Sequence, residues 1–226
     1  PETMFNFLSL LGWSAGDDEE VMTREQIVEK FSLDGLNAAP SIFNITKLEW
    51  MNGVYLRQLP VHALAEILIP ELEAPDGLPA SISRPLDRDY VTELVPLVHE
   101  RLKVIDREEL AGMLAYFFQD EIELDPAAVV QKGMNEAATA SALESAAVAL
   151  ESAEAFESEP LEEGFRALCV ELGLKPRQFF GALRVALTAR RVAPPLFDTM
   201  VALGRERSIA RVRRAAALLL RDQAVS

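Results

Sequence analysis

VALGRERSIARVRRAAALLLR, residues 201–221, is an arginine-studded apolar stretch that reads as helix, and it closes a chain that is otherwise acidic. Arg207, Arg211 and Arg214 stand at i, i+4 and i+7, so a helix puts all three on one face. From Phe165 onward twelve Lys/Arg stand against four Asp/Glu, a local charge of +8. The first 164 residues carry 10 Lys/Arg against 32 Asp/Glu, or −22, and the whole chain is −14. This polarity predicts a surface built to hold an anion, with RNA a candidate, on a body that would otherwise repel one. The arginine face has two readings, phosphate contact with long-range steering or pairing with acidic residues of the same chain.

A chain of 226 residues can bury a proper core in one or two domains. Half its residues are apolar, Leu and Ala are abundant, and Tyr, Thr and Ile are sparse, a composition that favours helix over sheet. The single Cys169 excludes an intramolecular disulfide, and its apolar neighbours in FRALCVEL predict a buried, inert thiol. A reducing, cytoplasmic setting is the expectation. MFNFLSLLGW near the start lacks a basic leader and a cleavage site and is too short for a bilayer, so no membrane association is expected. Because the sequence begins at Pro1 rather than Met, a fragment of something larger is expected.

Breakers and caps divide the chain. Met4, Phe5, Leu8 and Leu11 share one helical face, with Gly12 as the stop. Thr23 and Gln26 form a capping box after a loop that includes the acidic run at 17–20. Gly35 and Pro40 break the next stretch. NITKLEWMNGVYLRQLP reads as helix with a turn or kink at Gly53 and a stop at Pro60, and VHALAEILIPEL as a short helix meeting Pro70. Residues 74–88 are a connection rich in proline. A helix is predicted over about 89–102, with Asp106 and Glu109 as a capping pair for the next. Asp125–Pro126 opens another. Residues 135–158 contain ALESA at 142–146 and again at 149–153, too few copies for a coiled coil and read as a solvated amphipathic helix ended by Pro160. Helices are expected at about 161–172, 176–189, 195–203 and 208–222. No stretch alternates with period 2. The fold class is therefore all-α, with a boundary near 60 and a softer one near 110–116.

The chemistry of a self-contained active site is missing. There is no glycine-rich phosphate loop. His62 and His99 lack a metal-ligand partner at i+4 and read as surface or boundary residues, and with one Cys a zinc site is not expected. No carboxylate pair is marked out as catalytic.

Three stretches resemble bacterial glutamyl-tRNA synthetase downstream of its class I catalytic core. PETMFNFLSLLGWSAGDDEE is similar to the family's LPEALLNYLALLGWS. IFNITKLEWMNGVYLR at 42–57 is similar to its KLxWMNxxYIR pattern. LRVALTARRVAPPLFDTMVALGRERSIARV at 183–212 is similar to its PLRxALTG…SPxLFExxxxLGKERSLxRI. Order and spacing agree over essentially the whole chain. The resemblance implies a stem-contact segment at 1–60, an anticodon-binding helical subdomain at 61–115 and a second at 116–226, together a multi-helix cage. The HIGH and KMSK-type signatures are absent, so the fragment holds no cofactor and is expected to be inactive alone. The full-length enzyme would use ATP and Mg²⁺ to form an adenylate and pass glutamate to tRNA-Glu. Ala189 stands where the family often has Gly, ARRV at 189–192 adds two arginines, and Asn44 replaces a usual Asp.

An anticodon is single-stranded, so its bases can be splayed out, read along their pairing edges and stacked on flat side chains. The resemblance makes Arg184, inside FFGALRVALT, a candidate anticodon contact. Without it, that Arg would snorkel to solvent or pair with an acid. Leu196 opens a helix whose free N–H groups could face a base or phosphate, or it simply packs in the core. Arg166 is a further candidate. Arg101, in LVHERLKVI, is at the position that by resemblance reads the third anticodon base, C in glutamate tRNA and G in glutamine tRNA. Its bland alternative is a helix-surface Arg paired with Asp106 or a nearby Glu. Lys47 and Arg57 are candidates for the RNA backbone at the inner corner of the L. Trp50, in the same motif, is a candidate contact, although Trp50 and Tyr55 read more readily as core residues. Arg207 is a candidate phosphate contact. A monomer is the default. The rival readings are the helical anticodon domain of a class I lysyl-tRNA synthetase and a helical protein-interaction module.

Overall fold

The computed structural model describes residues 1–16, 19–37 and 42–223. Asp17 and Asp18 of the acidic run and the expected breaker Pro40 lie outside them. Among the described residues, twelve α-helices and two short 3-10 turns make up the regular structure. Among the described residues the only β-type pairing is an isolated bridge between Trp13 and Leu36. The all-α expectation holds. None of the described helices is long and apolar enough to cross a membrane.

The chain forms two compact units, residues 1–77 with 85–109, and residues 78–84 with 110–226. Residues 1–60 thus fold in one unit with 61–77 and 85–109.

The first unit holds α1 (Glu2–Gly12), α2 (Arg24–Lys30), α3 (Ile45–Gln58), α4 (Val61–Glu73), α5 (Arg88–His99) and the first residues of α6 (Arg107–Leu114). Its caps follow the sequence. Gln26 N–H donates to the Thr23 hydroxyl at 3.2 Å, and Thr23 N–H donates to the Gln26 side chain at 2.7 Å. Asn44 accepts from Lys47 N–H at 3.1 Å, so the change from the usual Asp keeps an equivalent N-cap. Glu109 N–H donates to Asp106 at 2.9 Å. Leu64, Leu68 and Leu72 of α4 and Val91, Leu94, Val95 and Val98 of α5 are buried, and these two helices pack together.

Several expectations are corrected here. The buried side of α1 is Thr3, Asn6 and Phe7, while Met4 and Leu8 are exposed. Polar bonds set its rotation: Asn6 accepts from Met22 N–H at 3.0 Å, and the Thr3 hydroxyl donates to Asn52 at 3.1 Å. Helix α3 passes through Gly53 without a break, and α4 continues through Pro70 to Glu73. Pro70 removes one late helical hydrogen bond, and the buried Leu68, Ile69 and Leu72 hold that last turn in place. Helix α5 stops at His99, so Arg101 lies in the turn beyond it, where its N–H donates to Val98 O at 2.8 Å.

The second unit holds the rest of α6, α7 (Pro126–Val129), α8 (Glu136–Ser152), α9 (Ser158–Glu171), α10 (Pro176–Thr188), α11 (Leu196–Leu203) and α12 (Arg205–Gln223). Asp125 caps α7 by accepting from Ala127 N–H at 3.0 Å. Helix α8 is not solvated as expected, because it packs along α12 and forms the centre of the unit. Leu143 and Leu150, equivalent positions of the two ALESA copies, are fully buried. Ala140, Ala146 and Ala147 of α8 and Ala215 and Ala216 of α12 are buried too. Such small side chains let helix backbones approach closely while still excluding water. Pro160 does not end α8, which stops at Ser152; it lies in the first turn of α9, where its missing N–H costs nothing. Helix α12 begins at Arg205, three residues before the expected 208.

Candidate nucleic-acid interface

In the second unit, α9, α10 and α11 meet through phenylalanines. Phe165 stacks on Phe179 at 5.9 Å and lies 5.9 Å from Phe197, which meets Phe180 edge-on at 5.3 Å. Phe165 and Phe179 are buried, but Phe180 keeps part of its ring in solvent. The Arg166 guanidinium lies 5.9 Å from the centre of that ring and is held by Glu162, one turn earlier on α9, at 2.5 Å. Arg184 stands one turn after Phe180 on the same face of α10. It is half-buried, and its Nε is sealed from water without a hydrogen-bond partner. Such an orphaned donor is costly unless a ligand supplies an acceptor. Leu196 adjoins Phe197 and is only 5% exposed, so its side chain belongs to the core. The first turn of α11 already contains the carboxylate of Asp198, which accepts from the Ser158 hydroxyl at 2.6 Å and opposes a phosphate at that helix end.

The ring of Phe180 thus meets Arg166 of α9 and Phe197 of α11, with Arg184 one turn along α10. That is chemistry for holding an unpaired nucleobase. Phe180 itself was not singled out in the sequence. The signal was there: in FFGALR one phenylalanine goes inward, and the other shares its face with the arginine four residues on.

The turn after α10 is tightly specified. The Thr188 hydroxyl donates to Arg184 O at 2.7 Å and accepts from Arg190 N–H at 3.2 Å. Ala189 takes the left-handed conformation, with φ 56°, at a cost of about 1–2 kcal/mol that glycine would avoid.

The arginines of α12 are engaged within the chain. Arg211 is 2% exposed and donates to Leu187 O at 2.5 Å, to Tyr116 O at 2.6 Å and to Gln119 O. Arg207 donates to Phe117 O and lies 4.0 Å from Asp120. Arg214 pairs with Glu121 at 2.7 Å and Arg213 with Glu151 at 2.7 Å. Arg205 donates to Leu150 O at 2.8 Å and covers the Phe156 ring. Of the two readings of the 207/211/214 face, intramolecular pairing describes what the structure contains. The partners include backbone carbonyls that no charge count could reveal.

In the first unit, α3 carries the remaining candidates. Lys47 pairs with Glu20 at 2.5 Å. Trp50 is 46% exposed, so the core reading of that residue is corrected. Tyr55 is half-buried, its hydroxyl donating to Met22 O at 2.6 Å, and burial raises its pKa above the usual phenol value. Residues 99–103 dock on α3. The Asn52 amide donates to Lys103 O at 2.7 Å, and the His99 Nε2 bonds Leu56 O at 3.1 Å. A Cβ on Gly53 would lie 3.2 Å from Leu102 O and 3.3 Å from Lys103 Cα, which explains a glycine inside this helix. The Arg57 guanidinium folds over the same glycine, with Nη1 3.1 Å from that Cβ position. Arg57 and the turn bearing the exposed Arg101 therefore lie together on one side of α3. Cys169 is buried, and burial pushes its thiol pKa up, as an inert thiol requires.

An all-helical body whose exposed chemistry is an aromatic ring with one arginine beside it and another one turn along its helix defines a nucleic-acid-reading module. The sequence model of the family described as "Anticodon binding domain" matches residues 63–216, and the chain belongs to that family. The model described as "tRNA synthetases class I (E and Q), catalytic domain" matches residues 1–50. The glutamate–tRNA ligase of Roseiflexus sp. (strain RS-1) is 45% identical over 219 residues, covering 97% of this chain and 43% of that protein. That of Dehalococcoides mccartyi (strain ATCC BAA-2266 / KCTC 15142 / 195) is 44% identical over 219 residues, with 97% and 44% coverage. The chain thus spans less than half the length of these curated relatives. A crystal structure of a glutamate tRNA ligase from Elizabethkingia meningosepticum shares the fold, with a TM-score of 0.82 and 23% identity over 97% of this chain and 41% of that one.

Proposed function

We propose that this chain is the anticodon-reading portion of a glutamate–tRNA ligase, selecting tRNA-Glu for a catalytic core supplied by the remainder of the enzyme. The observation that carries the reading is the half-buried Arg184, one turn from the part-exposed ring of Phe180. A base stacked on that ring would bring acceptors to the guanidinium. Arg166 and the start of α11 at Leu196 border the same place. Arg101 reads the third anticodon base, and Lys47, Trp50 and Arg57 face the RNA at the inner corner of the L, so that residues 1–60 act as the stem-contact segment, 61–115 as the first anticodon-binding part and 116–226 as the second. Arg207 serves mainly to hold the 117–120 segment in place. Adenylate formation with ATP and Mg²⁺ belongs to the catalytic core. No step of it is assigned to this chain, which lacks a phosphate loop and the HIGH and KMSK-type signatures.

Binding of glutamate tRNA to the chain, measured across a salt series, tests the reading. Affinity should fall as salt rises, because phosphate contacts release counterions, and should fall again when the anticodon bases are changed. A protein-interaction module would show neither dependence.

A further inference from the structure

Half of the twelve basic residues of the tail have a partner within the chain. Arg166, Arg213 and Arg214 sit against carboxylates, and Arg205, Arg207 and Arg211 against backbone carbonyls. Arg190 and Arg191 differ. Both are exposed, and among the described residues no carboxylate pairs with either. The Arg190 guanidinium lies alongside Gly112, 3.7–4.0 Å from where a Cβ would be, so its position is defined by packing rather than by an acid. Beyond the pair stands Val192, 78% exposed.

The turn that carries the pair is held rigid. Thr188 bridges Arg184 O and Arg190 N–H, Ala189 is fixed with positive φ, and Arg211 grips Leu187 O immediately before them. From Arg184 to Thr188 is about 6 Å of helix, the length scale of one nucleotide. Two exposed guanidinium groups without acids, on the turn that directly follows the helix of Arg184, are suited to a phosphodiester, whose oxygens match the guanidinium fork.

We propose that Arg190 and Arg191 form a phosphate-gripping site for the backbone of the RNA loop whose base is read at Arg184 and Phe180. This rests on the anticodon reading above, and adds to it a sequence-independent contact. It makes a neutralising contribution in a chain whose net charge of −14 repels RNA.

The test compares the wild-type chain, an Arg190→Gln/Arg191→Gln double variant and an Arg190→Lys/Arg191→Lys double variant, binding a glutamate tRNA transcript between 50 and 200 mM salt. Each phosphate neutralised on a single strand contributes about 0.7 to the slope of log affinity against log salt, so the Gln pair should flatten the slope by about 0.7, roughly a 2.6-fold smaller loss over that range. The Lys pair should keep the slope. The affinity ratio between glutamate tRNA and an anticodon-changed transcript should be the same in all three. An unchanged slope in the Gln pair, with the anticodon ratio intact, overturns the phosphate site and leaves the anticodon reading standing. A wild-type chain without an anticodon ratio overturns both. Both side chains are exposed, so each variant should melt with the wild type; a Gln pair that unfolds while the Lys pair does not would instead make the two residues structural and overturn the proposal.

Discussion

Exchanging Arg211, which is 2% exposed, for methionine is expected to destabilise the second unit by about 3–5 kcal/mol. Its guanidinium bonds the carbonyls of Leu187, Tyr116 and Gln119, tying the end of α10 to the segment after α6. Methionine fills a similar volume but donates nothing, and each buried carbonyl left unpaired costs about 1–3 kcal/mol. For a chain of this size the midpoint of thermal unfolding should drop by roughly 10 °C. Trp13 and Trp50 both lie in the first unit, so far-UV circular dichroism in a urea series is the appropriate probe, since most of the helix belongs to the second. Arg207 is half-exposed, and its exchange for methionine should cost distinctly less. A loss below about 1 kcal/mol at Arg211 would mean that desolvating the cation offsets its hydrogen bonds, and that something else holds the α10 turn.

Arg101→Gln should change which tRNA is bound while leaving the fold intact. Arg101 is exposed, in a turn held by the bonds of Asn52 to Lys103 O and of His99 to Leu56 O, neither of which involves its side chain. Cytosine offers acceptors along its pairing edge and suits a guanidinium. Guanine presents N1–H and N2–H donors there, which an arginine leaves unpaired. A glutamine amide has both a donor and an acceptor and can turn either way. One such contact discriminates by about 1–3 kcal/mol, or roughly 5- to 150-fold. The ratio of dissociation constants for glutamate tRNA and the same tRNA with G as third anticodon base should therefore collapse toward one in the variant. An unchanged ratio would remove Arg101 from the reading of that base.

Local signals in the sequence were read well. Thr23, Asp106 and Asp125 are caps because a side-chain oxygen two or three residues ahead of a free N–H is a short-range arrangement that the chain writes into itself. The family, too, was legible, from long motifs rich in Trp, Asn and Arg. What the sequence could not show was the partner of each charged or apolar group. Arg211 and Arg190 look alike in a charge count, yet one is sealed beneath carbonyls 24, 92 and 95 positions away, and the other is exposed. Gly53 reads as a helix breaker until Leu102 and Lys103 are seen against it. The α1 helix buries Asn6 rather than Met4 and Leu8 because Met22, distant in sequence, donates to its side chain. Phe180 became part of the candidate site only through its contacts with Phe197 on α11 and Arg166 on α9.

The central claim is that unpaired bases of the anticodon loop meet the Phe180–Arg184 surface. Hydroxyl-radical footprinting of glutamate tRNA bound to this chain tests it most directly. Protection should cover the anticodon loop and weaken there when Arg184 is exchanged for glutamine. A footprint that leaves the anticodon loop open, or one that the Arg184→Gln chain reproduces unchanged, would contradict it.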